Sequence, residues 1–224
     1  MLRADLHLHT CYSRDCRMMP EEIVARCQRV GINCLAVTDH NTIEGALEVQ
    51  KIASFPVIVG EEIKTTQGEI IGLFLTQEIP RGLTPLQTVT RIKEQGGLVV
   101  VPHPLDRLRR SRLRYSALMD ILPQVDALEV LNSRVTFGSD CRRARALARD
   151  KGLLTTVGSD AHTLGEIGAA WVEMPQFHDL PGFRDALAQG RVSGRLSSPL
   201  VHFFSLWNRW RRSRGRLSAI PRRF

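Results

Sequence analysis

The sequence predicts an α/β fold, a barrel of strand–helix units followed by a basic C-terminal extension. Three observations carry that prediction. Short apolar runs alternate with segments of helical periodicity through most of the chain. Glycine and proline mark the boundaries between them. The apolar runs end, one after another, in polar residues rich in histidine and acid. Barrels built from βα units carry their sites at that end of the strands.

The elements follow in order. From Asp5 to Thr10 the chain reads Asp-Leu-His-Leu-His-Thr, a strand on which His7 and His9 share one face because side chains alternate. Residues 10–19 are expected to loop. Pro20, Glu21 and Glu22 open a helix, Ile23, Val24, Cys27 and Val30 give it an apolar face, and Gly31 stops it. A strand at 34–38 ends in Asp39-His40-Asn41, a helix covers 42–53, and a strand at 57–59 ends in Gly60-Glu61-Glu62. Strands at 63–66 and 70–75 flank a turn at Gln67-Gly68. Thr84 and Pro85 open a helix over 83–95 that Gly96-Gly97 ends. The strand 98–101 runs into Pro102-His103-Pro104, then a basic stretch from Arg107 to Arg114. Helices at 115–122 and 141–151 alternate with strands at 127–131 and 153–157, the second ending in Gly158-Ser159-Asp160-Ala161-His162. A strand at 170–174 and a helix at 182–189 complete a barrel domain of residues 1–190, leaving 191–224 as the extension.

At 224 residues the chain suffices for one domain with a substantial core, and its 43% hydrophobic content is that of a globular protein. No apolar run approaches the ~18 residues of a transmembrane helix, and Met1 lies so close to the first motif that no signal peptide is expected. Cys11, Cys16, Cys27, Cys34 and Cys141 are odd in number and lack CxxC spacing, which fits reduced thiols and a cytoplasmic location. The net charge of +8 belongs to the extension. Residues 191–224 hold nine arginines and no Asp, Glu or Lys, and taking those nine from 31 leaves 22 basic against 23 acidic residues in 1–190.

His7, His9, Asp15, Asp39, His40, Glu62, His103, Asp160 and His162 all fall at or just after strand ends, leaving His178 and His202 as the other two of the seven histidines. Mixed nitrogen and oxygen donors suit Zn, Mn or Fe, and carboxylates can bridge ions. Two or three ions a few Å apart clamp the attacking and leaving oxygens of phosphoryl hydrolysis and acidify a water. No Gly-rich phosphate loop, GxSxG or Cys/His nucleophile pattern competes with this reading. Asp39 is expected to orient a ligand histidine or cap a helix rather than bind metal.

The motifs His7/His9, Thr38-Asp39-His40, Gly60-Glu61-Glu62, Val101-Pro102-His103-Pro104 and Gly158-Ser159-Asp160-Ala161-His162 stand in that order over residues 1–175. The set resembles the PHP family, named for polymerase and histidinol phosphatase. The resemblance implies a distorted seven-stranded (β/α), TIM-like barrel with two or three divalent ions at its C-terminal rim, and metal-dependent phosphoester hydrolysis. By motif position it gives His7, His9, Glu62 and Asp160 to one ion. Glu62 then bridges to a second that also takes His103, and Asp15, His40 and His162 hold the third. The GxE pattern favours Glu62 over Glu61. Several members add a ligand, often His, after the strand at 127–131. Here the residues are Glu129-Val-Leu-Asn132-Ser-Arg134, so the second ion is held more weakly or completed by water or Asn132. Glu129 reads equally as a buried structural partner.

The expected substrate is a small phosphomonoester or the phosphate of a nucleotide, attacked by a metal-activated water. His40, His162 and Asp160 form the reacting group. Arg134 and one of Arg107, Arg109 or Arg110 are the phosphate-binding candidates, with Asn132 beside them. A 3′→5′ exonuclease or nucleic-acid-targeted phosphatase, an amidohydrolase-like hydrolase and a non-catalytic metal- or phosphate-binding module stay open. Amidohydrolase barrels also open with HxH but usually bridge their metals with a strand-end lysine, for which Lys64 is the early candidate. The extension interleaves its arginines with Phe203, Phe204, Trp207 and Trp210. That pattern suits a nucleic-acid backbone, an anionic membrane surface or packing on the barrel. The sequence does not set an oligomeric state.

Overall fold

A computed structural model describes residues 1–198, 200 and 201; residue 199 and residues 202–224, with Phe203, Phe204, Trp207, Trp210 and the arginines from Arg209 on, lie outside the described residues. Within them the order is β1 (Leu2–Leu8), α1 (Pro20–Val30), β2 (Cys34–Val37), α2 (Glu44–Ile52), β3 (Val57–Thr65), β4 (Gly68–Leu73), α3 (Pro85–Glu94), β5 (Leu98–Val101), α4 (Tyr115–Ile121), β6 (Ala127–Asn132), α5 (Gly138–Asp150), β7 (Leu154–Gly158), β8 (Ala170–Met174), α6 (Leu180–Ala188) and β9 (Arg191–Gly194). Local chemistry explains the helix ends. Glu22 accepts a bond from Met19 N at 3.0 Å, and Gly31 closes α1 at φ 74°, where a side chain would be strained. Thr84 and Gln87 form a reciprocal capping box at the start of α3.

The strands make one mixed sheet in the order β7-β6-β5-β4-β3-β2-β1-β8-β9. The runs β1–β2–β3 and β5–β6–β7 pair parallel, as strand–helix units require, while β4 lies antiparallel between β3 and β5. Asp160 N donates to His7 O at 2.7 Å and His9 N to Ala161 O at 3.1 Å. These bonds bring the end of β7 back to β1 and curl the sheet to near closure. The barrel-like sheet has nine strands among the described residues, not the expected seven, because β8 and β9 continue antiparallel from the other edge of β1. β3 is also one strand where two were expected. Its first half pairs with β2 and its second with β4, so Gly60-Glu61-Glu62 lies inside a ladder.

The core has two layers. One packs α1 to α4 on the sheet, with Ile23, Cys27, Val49, Ile92 and Leu118 against Leu35, Val59 and Val101. The other lies on the opposite face, where α6 contributes Phe183, Ala186 and Leu187 and the Phe183 ring meets Phe74 and Phe177 edge-on at 5.0 Å. No disulfide joins any of the five cysteines, and no helix among the described residues is long and apolar enough to cross a membrane.

Asp126 ties three of these elements together. It accepts bonds from Val99 N (2.7 Å), Lys93 Nζ (2.5 Å) and Arg184 Nη2 (2.7 Å). Burial works against its charge, but these donors outweigh burial and lower its pKa. Asp126→Ala should therefore reduce unfolding free energy by about 2 kcal/mol in a urea titration. A depressed folded-state pKa stabilises above the unfolded value of about 4 and ceases to do so as pH falls through the folded one. The gap between wild type and variant should accordingly narrow below about pH 4.

Candidate metal centre

Close approach of β7 to β1 builds the site. A β-carbon at Gly158 would collide with His7 Cβ, so only glycine lets the two strands meet there. His103 (φ 33°) and Asp160 (φ 54°) hold left-handed backbone conformations just past β5 and β7. Such conformations are strained in residues other than glycine and cluster at functional sites.

Neighbouring groups fix the tautomers of the opening pair. His7 Nδ1 lies 2.9 Å from Glu129 Oε1, and His9 Nδ1 lies 3.2 Å from Ser13 Oγ, whose own proton goes to Asp39 Oδ1 at 2.5 Å. With both Nδ1 atoms donating, both Nε2 lone pairs point inward, the arrangement common among metal-binding histidines. Asp39 thus acts on His9 through Ser13 and also holds Thr10 N at 2.7 Å.

Four donor atoms converge. The Nε2 atoms of His7 and His9 are 3.3 Å apart. Glu62 Oε2 lies 3.7 and 3.5 Å from them, and Asp160 Oδ1 lies 3.6 and 3.3 Å from them. A four-coordinate ion with bonds of about 2.0–2.2 Å holds its ligands about 3.3–3.6 Å apart. Both carboxylate oxygens are buried and have no hydrogen-bond partner. That arrangement is costly without a cation, so these residues fit a metal.

Two further groups adjoin. His40 Nδ1 is 3.1 Å from Glu62 Oε2, and Asp15 lies 3.7 Å from His40 Nε2 and 3.5 Å from His162 Nε2. His103 Nε2 is 3.0 Å from Glu62 Oε1. All eight residues expected to ligate metal are therefore brought together.

The electrostatics suit a cation. Burial opposes charge on Glu62 and Asp160, yet His7 and His40 beside Glu62, and Arg109 and His7 beside Asp160, hold both pKa values well below the usual range. Burial, with His162 and His40 nearby, lowers His9 to about 3 and keeps it neutral.

The arginine candidates separate. Arg109 reaches the site, with Nη2 2.6 Å from Asp160 Oδ2. Arg134 is buried, with Nη1 2.8 Å from His162 Nδ1, Nε 3.1 Å from Glu166 and Nη2 donating to Val201 O at 2.7 Å. Arg107 is not brought in. Its guanidinium pairs with Asp140 at 2.5 Å and stacks on Phe137. Asn132 turns its amide hydrogens to Glu129 (3.0 Å) and Asp160 (3.2 Å) and accepts from Arg134 N through Oδ1, so it braces the site. Sequence reading missed Glu69, whose carboxylate lies beside His103 and Glu62; the hairpin register, which pairs it with Lys64, is the signal that places it there. A cleft of about 680 Å³ opens above, its wall carrying Lys64, Arg110, Arg112 and Arg114.

The chain is similar to several known proteins. A PHP-associated family model matches residues 138–192. An uncharacterized protein of Methanocaldococcus jannaschii is 40% identical over 145 residues, 59% of this chain and 82% of that protein. A 5′-3′ exoribonuclease of Haemophilus influenzae is 35% identical over 98 residues, 41% of this chain but only 35% of the enzyme. Among solved structures, a two-domain Bacteroides vulgatus protein containing a predicted PHP-like metal-dependent phosphoesterase is similar with a TM-score of 0.65 at 20% identity, over 87% of this chain and 65% of that one. An amidohydrolase of Chromobacterium violaceum, with bound sulfate and no metal, has a TM-score of 0.64 at 17% identity, over 84% and 97%. At such identities the two structures speak for the fold alone.

Proposed function

The chain belongs to the PHP domain family, and we propose that it is a metal-dependent phosphoesterase acting on a small phosphomonoester or the phosphate of a nucleotide. The observation that carries this reading is the convergence of two bare imidazole nitrogens on two unpartnered, buried carboxylate oxygens beneath a basic cleft. His7, His9, Glu62 and Asp160 would hold one divalent ion, and Asp15, His40 and His162 another. Such ions acidify a water and offset charge on phosphoryl oxygens.

The chain's own groups supply the rest. Glu129 and the Ser13–Asp39 pair hold the histidine rings in orientation. Arg134 and Arg109 sit at the cleft floor, where guanidinium groups can meet phosphate oxygens. His40, about a quarter exposed, and His162 line the cleft where a leaving oxygen would take a proton. Lys64 stands in the cleft wall and is exposed, which does not favour the amidohydrolase alternative.

A second reading, hydrolysis at the end of a nucleic-acid strand, draws support from the same wall, because four cations exceed what one phosphate needs. The test is phosphate release by Mn²⁺-loaded protein from a nucleoside 3′,5′-bisphosphate, histidinol phosphate, an aryl phosphate and a 5′-phosphorylated oligonucleotide. Turnover of one small substrate, lost in Asp160→Ala, is expected. Nucleotide release from the oligonucleotide would favour the second reading, and silence on all four with metal bound would sink both.

A further inference from the structure

We infer that Glu69 is a ligand of the second metal ion, completing with Glu62 and His103 a site of two carboxylates and one imidazole. The inference deepens the proposed metal-dependent reading and rests on it. Glu69 is only 5% exposed, and its Oε2 has no hydrogen-bond partner. That oxygen lies 3.9 Å from His103 Nε2, which is itself 3.0 Å from Glu62 Oε1. Ligand atoms of His40, Glu62 and Glu69 all lie within 4.8 Å of one another.

Backbone register explains the placement. In the β3–β4 hairpin Lys64 pairs with Glu69 and Glu62 with Ile71. Paired residues share a face, as do residues two apart on one strand, so Glu69 and Glu62 project to the same side as diagonal neighbours. A hydrogen bond to Ser111 steadies the Glu69 carboxylate from the basic loop. Asn132, the other residue in a position to complete this site, has both sides of its amide engaged by Glu129, Asp160 and Arg134 N. The ligand therefore comes from the hairpin and not from the end of β6. Two carboxylates with one imidazole make a harder donor set than two imidazoles with one carboxylate, which favours Mn²⁺ relative to Zn²⁺.

The test counts ions. Metal-stripped full-length protein is reconstituted with Mn²⁺, freed of excess by gel filtration and measured by elemental analysis, with circular dichroism and thermal unfolding as checks on folding. Wild type should hold at least two ions per chain, and Glu69→Gln one fewer. Glu69→His should regain the lost ion and shift preference toward Zn²⁺. A folded Glu69→Gln protein with the full count overturns the inference, as does a wild type that holds a single ion. The count needs no substrate, so a protein that binds its ions but hydrolyses nothing would fail the phosphoesterase reading and leave this one standing.

Discussion

Glu62→Gln should lower kcat/KM at least about a thousandfold, roughly 4 kcal/mol of transition-state stabilisation. Its carboxylate sits at the centre of the histidines, with Oε2 3.1 Å from His40 and 3.5 Å from His9 and Oε1 3.0 Å from His103. Glutamine keeps the shape and fills the same space, so the barrel should stay folded and Tm should move by only a few degrees. The change removes the charge that offsets two cations. Steady-state kinetics on the substrate found in the panel, with circular dichroism on the same sample, make the comparison. Activity within tenfold of wild type would remove Glu62 from the centre of the mechanism.

Glu129→Ala should weaken metal affinity about 10–100-fold, the range typical of groups that orient metal ligands. Glu129 touches no expected ion. It takes His7 Nδ1 at 2.9 Å through one oxygen and, through the other, His103 N at 2.7 Å and Asn132 Nδ2 at 3.0 Å. Without it His7 can rotate or change tautomer, and the buried His103 N–H, already on a strained turn, loses its acceptor. The second loss should also cost about 1–3 kcal/mol of stability. Glu129→Gln is the informative companion, because an amide has one acceptor oxygen where His7 waits on one side and His103 N and Asn132 on the other, and it should repair only one of the defects. Mn²⁺ titration calorimetry with urea denaturation separates them. Unchanged affinity in both variants would mean that His7 needs no external orientation.

Much of this site was legible in the sequence because each ligand follows a local pattern. His7 and His9 obey strand alternation, and His40, His103, Asp160 and His162 each follow an apolar run that becomes β2, β5 or β7. What escaped depends on contacts between residues distant in the chain. Arg107 looked like a phosphate ligand because its loop follows His103, but Asp140 at the start of α5, 33 residues on, captures it. Glu129 remained ambiguous until β7 was placed between β6 and β1, which brings it to His7. Glu69 required the register of a hairpin, which turn chemistry suggests but pairing fixes. β9 has half-exposed Val192 and Ser193 between polar ends, too weak an alternation to read before β8 offered a partner. Of the strands beyond seven, β8 was read from its own apolar run at 170–174, and β9 follows from edge pairing alone.

The central claim is that the histidine–carboxylate cluster works by holding divalent ions for phosphoester hydrolysis. Its most direct test is phosphate release by protein stripped with a chelator, dialysed free of it and then titrated with Mn²⁺. The account predicts no turnover in the stripped protein and recovery that levels off only when at least two ions are bound per chain. Undiminished phosphate release by protein shown by elemental analysis to be metal-free would contradict it.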